Sequence, residues 1–232
     1  MLEFADIAIQ RGGRTIVSGL SFSLARGQML CLTGPSGIGK TTVMEIAAGL
    51  LAPDQGRRRF QKGRLAYAFQ DDALIPWRTV SQNLEFVLDN GRDAAAAKWT
   101  IAKWLRRLGL ENAADKYPAE ISGGMRRRLN LARAFSLEAD LLIMDEPFAF
   151  LDERWLQHIT LYLSKELERG AAILLASHQM EPLAGFAYRS LAIRNRRGKE
   201  SGPREARPAA FHLPDDKHLL SAAFGRENYS EP

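Results

Sequence analysis

Residues 34–41 read Gly-Pro-Ser-Gly-Ile-Gly-Lys-Thr and match the pattern G-x-x-x-x-G-K-[ST] at each of its fixed positions. The apolar run at residues 29–33, just before this stretch, predicts a buried strand. The residues after it predict a helix, because apolar side chains recur at helical spacing at Val43, Ile46, Ala47 and Leu50. A strand, a glycine-rich loop and a helix in this order form an anion site, so the stretch predicts binding of a nucleoside triphosphate.

The residues of this loop have different expected roles. Glycines let the backbone wrap the phosphates, and the helix N-terminus points its N–H groups at the same anion. Lys40 would add a positive charge at the β- and γ-phosphates, and the Thr41 hydroxyl would ligate Mg²⁺. The candidate nucleotide-binding residues of the loop are Gly34, Pro35, Ser36, Gly37, Ile38, Gly39, Lys40, Thr41 and Thr42.

Composition and charge restrict the class of protein. The chain has 232 residues, of which 46% are hydrophobic and 25% charged, as is typical of a soluble globular protein. It has neither an apolar stretch of about 20 residues nor a secretory signal at its start. Its single cysteine, Cys31, excludes an internal disulfide and fits a reducing cytoplasm. Because Cys31 lies in the predicted strand, we expect a buried structural thiol.

Basic residues cluster at residues 57–59, 126–128 and 194–197, and the net charge is +5. Such clusters are usually solvated faces, although the net charge permits an acidic partner. Aromatic residues do not alternate with the basic ones as base stacking would require, so no nucleic-acid partner is expected.

The first half of the chain predicts strands followed by a helical block. Leu20, Phe22 and Leu24 alternate with small or polar residues as in a half-buried strand, and a turn is expected at residues 12–13. Residues 53–56 predict a stop after the first helix, and residues 65–69 a strand that leads into Gln70. The composition becomes helical from about residue 81 to residue 135, with an amphipathic helix at residues 94–110 whose Trp99 and Trp104 are expected to pack in a core or interface.

The second half predicts a return to alternating strands and helices. Apolar runs at residues 141–144 and 172–176 suit the centre of a parallel sheet, and residues 155–167 predict the crossover helix between them. A helical block therefore interrupts an α/β core. Beyond residue 199 the periodicity is weak, and no chemistry is expected there.

Two adjacent carboxylates follow the apolar run at residues 141–144. A central parallel strand delivers such residues to the carboxyl edge of the sheet, where the phosphate loop also lies. Asp145 would then hold Mg²⁺, directly or through water, and Glu146 would orient and deprotonate the attacking water.

Residues 121–134 predict a helix that begins in a polar segment. Ser122 is its expected N-cap, and Gly123 and Gly124 would allow a ligand to approach closely. Three arginines in the first turns oppose the helix dipole, a cost that a docked anion would reduce. Taken alone, this pattern also fits a capped helix with a solvated basic face.

Together these motifs resemble the nucleotide-binding subunit of ABC transporters, over roughly residues 1–200 and in the family's order. Residues 34–41 are similar to its Walker A loop and residues 141–146 to its Walker B strand. Ser122-Gly123-Gly124 lies where its signature sequence falls, and residues 149–152 lie at its D-loop. Gln70 resembles the Q-loop glutamine, and His178 resembles the switch histidine beside the γ-phosphate.

The resemblance implies a fold and a set of site residues. The expected fold is α/β, with a RecA-like P-loop NTPase core, an N-terminal antiparallel β-subdomain and an inserted helical subdomain at about residues 78–135. Residues 201–232 would be a C-terminal tail without an assigned role. ATP and Mg²⁺ are the implied cofactors. The implied catalytic residues are Glu146, His178 and Lys40; the implied metal ligands are Thr41, Gln70 and Asp145; and Gln70, Ser122, Gly123 and Gly124 would join the loop in binding nucleotide.

The resemblance also implies partners. Two copies would pair head to tail, so that each signature segment closes over the ATP of the other copy and hydrolysis releases the closed pair. The motion would pass near Gln70 to a multi-spanning membrane permease, with a substrate-binding protein also expected. The chain would be cytoplasmic and lie on the inner face of the cell membrane.

Residues 74–80 resemble one particular group of proteins within this family. The run Leu-Ile-Pro-Trp-Arg-Thr-Val looks like the segment after the Q-loop in importers of the nitrate, sulfonate and taurine type, and residues 144–148 are similar to the same group. Thiamine-precursor importers share much of this pattern. Trp77 would pack either against a coupling helix of the permease or in the core.

Three features depart from the family pattern. Residues 10–12 occupy the region where an aromatic residue usually stacks on adenine, and Arg11 could stack there through its guanidinium plane. Met125 replaces the usual signature glutamine. The segment between Gly56 and Leu65 looks short, with arginines 57–59 where strands are expected.

Two other interpretations remain open. A soluble ABC-type ATPase in nucleic-acid repair or translation would be expected to carry a long coiled coil or two nucleotide-binding domains, and this chain has neither. A small P-loop phosphoryl-transfer enzyme would leave Gln70, Ser122 and His178 without a role.

Overall fold

The computed structural model describes residues 1–88, 93–194 and 197–204, with nine strands and five helices in those ranges. The strands are β1 Leu2–Arg11, β2 Arg14–Leu24, β3 Met29–Thr33, β4 Gln55–Phe60, β5 Leu65–Ala68, β6 Leu141–Asp145, β7 Ala172–Ala176, β8 Tyr188–Arg194 and β9 Arg197–Arg204. The helices are α1 Lys40–Ala48, α2 Val80–Leu88, α3 Ala94–Arg107, α4 Gly123–Ser136 and α5 Glu153–Glu168. Short 3₁₀ turns lie at Glu111–Ala113, Pro118–Glu120 and Glu181–Leu183.

The nine strands form one sheet in the order β4-β1-β2-β9-β8-β3-β7-β6-β5. Strands β4, β1 and β2 pair antiparallel, whereas β8, β3, β7, β6 and β5 pair parallel. Strand β9 joins the two parts, since it pairs with β2 on one side and with β8 on the other. The predicted α/β core with an N-terminal antiparallel part is confirmed. The strand before the phosphate loop, β3, lies between β7 and β8.

Side chains alternate between two apolar layers along the parallel strands. In β6, Leu141 and Ile143 pack with α1 and the antiparallel strands, whereas Leu142 and Met144 pack against α2 to α5. Both faces of β6 and β7 are therefore covered, which explains why these strands read as continuous apolar runs. This burial holds the carboxyl end of β6 in a fixed place next to the loop after β3.

Helix α1 is shorter than its apolar pattern predicted. It ends at Ala48, with Gly49 as a left-handed C-cap, and Leu50 lies beyond it with 62% of its surface exposed. The Arg58 guanidinium reaches the same helix end and donates to the Ala47 carbonyl from Nε at 3.0 Å and from Nη2 at 2.6 Å. The arginines at 57–59 thus lie on a strand, and Arg58 satisfies a helix terminus instead of forming a purely solvated face.

Trp99 and Trp104 occupy different environments on α3. Trp104 is buried and stacks on Phe135 with ring centroids 5.6 Å apart, whereas Trp99 is exposed. Trp104 therefore packs in the core, whereas core packing is wrong for Trp99, for which the alternative of interface packing stays a prediction. Cys31 is fully buried as predicted, and burial raises the pKa of its thiol to about 12.

Strand β9 extends to Arg204, beyond residue 199, where the sequence shows only weak periodicity. Of the predicted tail at residues 201–232, the part from residue 205 onward lies outside the described residues. Helices α2, α3 and α4 occupy the region of the predicted insertion, and the division into subdomains stays a prediction. In the ranges that the structure describes, none of the helices is long and apolar enough to cross a membrane.

Candidate functional site

The phosphate loop has a backbone that only glycine adopts readily. Gly34, Gly37 and Gly39 have φ values of 144°, 73° and 112°. A Cβ at Gly34 would lie 2.7 Å from the Ile193 carbonyl oxygen, whereas a Cβ at Gly37 would point into open space. The loop is thus packed against β8 on one side and open on the other, which leaves a concave backbone surface free for a ligand.

Helix α1 begins at this open surface. Gly39 is the N-cap residue of α1, and none of the described side chains makes a capping hydrogen bond there. The first turn of α1 has no acidic residue. The N–H groups and the positive end of the helix dipole are therefore available to an anion. Lys40 is largely buried, and its Nζ donates to the Gly34 carbonyl at 2.9 Å and to the Pro35 carbonyl at 3.1 Å. The ammonium group thus lies within the curve of the loop.

The end of β6 meets the start of α1. The Thr41 hydroxyl donates to Asp145 Oδ2 at 2.7 Å, across 104 positions of sequence. Asp145 is 2% exposed, and its burial raises the pKa of its carboxyl, while the Thr41 hydrogen bond and the charge of Lys40 oppose that rise. The two residues that the sequence analysis expects to ligate Mg²⁺ are therefore in direct contact.

Glu146 faces His178 next to the same loop. Its Oε2 accepts from the His178 backbone N–H at 3.0 Å, and its Oε1 lies 3.5 Å from His178 Nε2. Oε1 is buried and has no hydrogen-bond partner among the described residues. His178 Nε2 also lies 3.3 Å from Ser36 Oγ in the phosphate loop. The structure therefore brings Ser36, Glu146 and His178 together, with one carboxylate oxygen free to accept a proton.

The Gln70 segment is attached to this centre through a residue that the sequence did not single out. Arg127 of α4 is 1% exposed, although its cluster was expected to form a solvated face. Its guanidinium donates to the carbonyls of Phe69 at 2.6 Å and Gln70 at 3.4 Å, and also to the carbonyls of Asp145 and Glu146. A fork of donors buried next to two loops cannot be recognised from a run of three arginines, since only the folded chain shows which one points inward.

The described contacts of the segment at Ser122 are with residues outside the phosphate loop. Ser122 is the N-cap of α4, as predicted, and its hydroxyl accepts from the Met125 N–H at 3.3 Å. A Cβ at Gly124 would lie 3.1 Å from the Phe150 carbonyl oxygen, so this segment packs against residues 149–152. Phe150 has a left-handed backbone with φ of 63°, and its side chain is 83% exposed.

A glycine-rich phosphate loop that faces a strand ending in two carboxylates defines a nucleotide-hydrolysing P-loop site. A profile of the family described as ABC transporter matches residues 17–149. The Nod factor export ATP-binding protein I of Paraburkholderia xenovorans (strain LB400) is 38% identical over 204 residues, which cover 83% of this chain and 67% of that protein. The aliphatic sulfonates import ATP-binding protein SsuB 2 of Pseudomonas syringae pv. tomato (strain ATCC BAA-871 / DC3000) is 34% identical over 197 residues, which cover 83% of both.

A solved ATP-binding subunit of an ABC transporter superposes with a TM-score of 0.80 at 25% identity, over 87% of this chain and 89% of that one. This chain belongs to the ABC transporter family. It is an ATP-binding subunit of that family, with the ATPase activity that such subunits have.

Proposed function

We propose that this chain powers the import of a small solute of the nitrate, sulfonate or taurine type through a multi-spanning membrane permease. The observation that carries the catalytic part is the free, buried Oε1 of Glu146 next to His178 and Ser36. The observation that carries the transport part is the exposed aromatic surface at Trp77 and Phe86.

The residues at the loop fit ATP with Mg²⁺. Thr41 and Asp145 supply a hydroxyl and a carboxylate, which are the hard oxygen ligands that Mg²⁺ prefers. Among the described residues, no group of three or more His, Cys, Asp or Glu side chains could hold a metal alone. This agrees with an ion that is held mainly by substrate phosphates and one or two protein oxygens. When bound, Mg²⁺ would neutralise charge on the phosphate oxygens. Gln70 is the third proposed ligand.

Hydrolysis would use the groups that lie around the phosphate loop. Lys40 and the backbone N–H groups of Gly34 and residues 36–42 bind the phosphates and stabilise the negative charge that develops on them. Glu146 Oε1 accepts a proton from water as the water oxygen attacks the γ-phosphorus, and the bond to the β-phosphate oxygen breaks to release ADP and phosphate. His178 and Ser36 lie beside this position and would orient the γ-phosphate and the water.

The Glu146→Gln variant tests the proposed base. It should lower kcat for ATP hydrolysis by more than about 100-fold, because an amide cannot accept the proton. The dissociation constant for ATP should stay within about threefold of wild type, since the phosphate loop is unchanged. Glu153→Gln, on the exposed first turn of α5, is the matched control and should keep wild-type turnover. Wild-type turnover in Glu146→Gln would overturn the assignment.

We infer that the complete site needs a second copy of the chain, placed head to tail. Ser122, Gly123 and Gly124 contact residues 149–152 of their own chain instead of the phosphate loop. A partner copy would bring its own Ser122 segment over the loop of this chain. The exposed Phe150 next to Gly124 supports this side of the molecule as the contact surface, because large exposed apolar side chains are typical of interfaces.

The permease would dock on the segment that follows Gln70. Trp77 is 76% exposed and Phe86 is 51% exposed, with the Arg78 guanidinium 5.0 Å from the Phe86 ring centroid. Core packing is therefore excluded for Trp77, and an aromatic surface with a basic residue suits a protein partner. The docked chain would lie on the cytoplasmic face of the membrane, and a substrate-binding protein would select the solute. One relative above is named for export and the other for import, and the resemblance of residues 74–80 favours import.

A further inference from the structure

Arg127 is the largest side chain that is almost completely buried in the described part of the chain. Charged groups are rarely buried to this extent unless they are paired and hydrogen-bonded, because leaving water is costly for a charge. The mechanism proposed above gives Arg127 no part. Its position between two catalytic loops therefore requires its own explanation.

The guanidinium connects two separate segments through their backbone carbonyls. Nη1 donates to Phe69 at 2.6 Å and to Gln70 at 3.4 Å, and Nη2 donates to Asp145 at 2.5 Å and to Glu146. The first pair of carbonyls follows β5, and the second pair ends β6 and begins the loop that carries the catalytic carboxylate. One planar group thus fixes the spacing between the Gln70 segment and Glu146.

Two neighbouring side chains complete the arrangement. Asp72 Oδ1 lies 3.6 Å from Arg127 Nη1 and is the acidic partner that balances the buried charge. Burial lowers the pKa of Arg127, and Asp72 is the strongest influence that opposes this change. Asn130, one turn further along α4, donates its amide to the same Phe69 carbonyl at 2.8 Å. Two side chains of helix α4 therefore donate to the same carbonyl, the one directly before Gln70.

The same helix begins at Ser122, the segment proposed to cover the nucleotide of the other copy. Arg127 lies little more than one turn further along, so a shift of the helix N-terminus moves the guanidinium with it. Glu146 has a left-handed backbone with φ of 50°, a conformation that persists only where its surroundings hold it. The Arg127 bond to its carbonyl is one of the contacts that hold it.

We propose that Arg127 is a positioning residue that transmits the position of the Ser122 helix to Gln70 and Glu146 of the same chain. This proposal rests on the proposed function, since it assumes that Glu146 is the base and that Ser122 meets the nucleotide of a second copy. Contact between Ser122 and that nucleotide sets the position of α4, and Arg127 then fixes the carbonyl ends of both catalytic segments. Each copy would thereby sense the ATP held by its partner.

The Arg127→Lys variant keeps the charge and removes the fork. A lysine ammonium cannot donate in one plane to two pairs of carbonyls, so the spacing between Gln70 and Glu146 is no longer fixed. We expect kcat to fall by at least about tenfold, because misplacement by about 1 Å can cost about 100-fold in rate. The dissociation constant for ATP should stay within about threefold of wild type. The Hill coefficient for ATP should fall towards one.

Arg128→Gln is the matched control. Arg128 is the next residue of α4, and it also donates to backbone carbonyls of another segment, those of Leu108 and Gly109, while lying over the Trp155 ring. It has no described contact with Gln70, Asp145 or Glu146. The variant should therefore lower thermal stability while keeping kcat within about twofold of wild type.

A double variant separates positioning from general structural damage. If Arg127 acts through Glu146, Arg127→Lys should add less than about twofold to the loss already caused by Glu146→Gln. A further loss of about tenfold in that background would contradict the proposal, as would a kcat within about threefold of wild type in Arg127→Lys alone.

The last test is whether the Arg127 variants fold and bind ATP. If both Arg127→Lys and Arg127→Gln fail to yield folded protein that binds ATP, the residue is structural and the proposal is wrong. Failure of the proposed function is recognised separately, since Glu146→Gln with wild-type Arg127 would then hydrolyse ATP at the wild-type rate.

Discussion

Glu146 stores backbone strain at the point where the chemistry is proposed. Its φ of 50° costs on the order of 1–3 kcal/mol in a residue with a side chain. Its N–H donates to the Ala176 carbonyl at 2.8 Å, and its carbonyl accepts from the Ala149 N–H at 3.2 Å and from Arg127. These bonds point the carboxylate towards His178 instead of continuing β6, so strain here serves the orientation of one side chain.

Trp77 gives a prediction at the scale of one residue. Trp77→Ala should weaken co-purification with a co-expressed permease, because a buried tryptophan anchor at an interface is typically worth about 2 kcal/mol or more, or roughly 30-fold in affinity. Hydrolysis by the isolated chain should stay within about twofold of wild type, since Trp77 is exposed and lies outside the site.

The matched control for Trp77 is Trp99→Ala on α3, which removes an exposed tryptophan from a different surface. It should leave co-purification unchanged. Equal loss in both variants, or no loss in Trp77→Ala, would rule out the proposed docking surface.

The position and role of some residues could be predicted from the sequence, whereas those of others could not. Lys40, Thr41 and Asp145 were predicted because their motifs are local and the parallel sheet brings both strand ends to one edge. Arg127 was missed because its neighbours Arg126 and Arg128 are also arginines and only tertiary packing selects the buried one. For Trp77 the sequence left two alternatives, packing in the core or against a coupling helix of the permease. The choice depends on what packs above the loop that contains Trp77.

At the scale of elements, the carboxyl end of α5 contains a buried charge that should make stability depend on pH. Glu166 is 8% exposed and accepts from Arg169 Nε at 2.8 Å. Burial raises the pKa of Glu166 above its ordinary value, although Arg169 opposes the rise. The folded protein then holds this proton more tightly than the unfolded chain, so stability decreases as pH rises from the ordinary to the raised pKa.

Glu166→Gln should therefore raise Tm at pH 7, since the neutral amide avoids the cost of the buried charge and still accepts from Arg169. A difference of about 1 kcal/mol would shift Tm by about 2–4 °C in a chain of this size. The advantage should shrink as pH falls from the raised pKa of Glu166 towards about 4.3, and it should be absent at lower pH, where the glutamate of both states is neutral. Calorimetry from pH 4 to 8 measures the difference in Tm between the variant and wild type, and Glu168→Gln, at an exposed position, is the control. A constant difference across this range would contradict the assignment.

Whole elements were predicted best where their burial is uniform. Strands β3, β6 and β7 are apolar throughout because both faces are covered, and their positions match the predicted runs within a residue or so. Strand β4 was missed because it lies at the edge of the sheet, where arginines can face solvent and discourage pairing with other chains. Helix α1 ended early because Gly49 could take the left-handed cap, a feature that an apolar pattern does not record.

At the scale of the whole molecule, mixing two inactive variants tests the head-to-tail pair. Lys40→Ala should disable the phosphate loop, and Gly123→Asp would place a negative charge in the segment that is proposed to cover the partner's phosphates. A Cβ at Gly123 lies 3.7 Å from the nearest neighbour, Arg126 Nη2, so the aspartate variant should fold. In a mixed pair, one site combines both defects and the other has none.

Each variant alone should hydrolyse ATP poorly, and an equal mixture should recover about a quarter of the wild-type rate, since half of the pairs are mixed and one of their two sites is intact. A mixture of Lys40→Ala and Glu146→Gln should recover no ATPase activity. Both residues act on the ATP bound by their own chain, so each site of a mixed pair still carries one of the two defects. The absence of recovery in the first mixture would argue against a shared site.

Strand β9 lies between the antiparallel and parallel parts of the sheet, although it is the last described strand and β2 is the second. On the ribosome, β2 therefore emerges long before the strand that covers its edge. At about 5–20 residues per second, this edge would wait roughly 10–35 s for its partner. During that time the nascent chain offers unpaired backbone groups to other chains, so molecular chaperones would be most useful to this protein while it is still being synthesised.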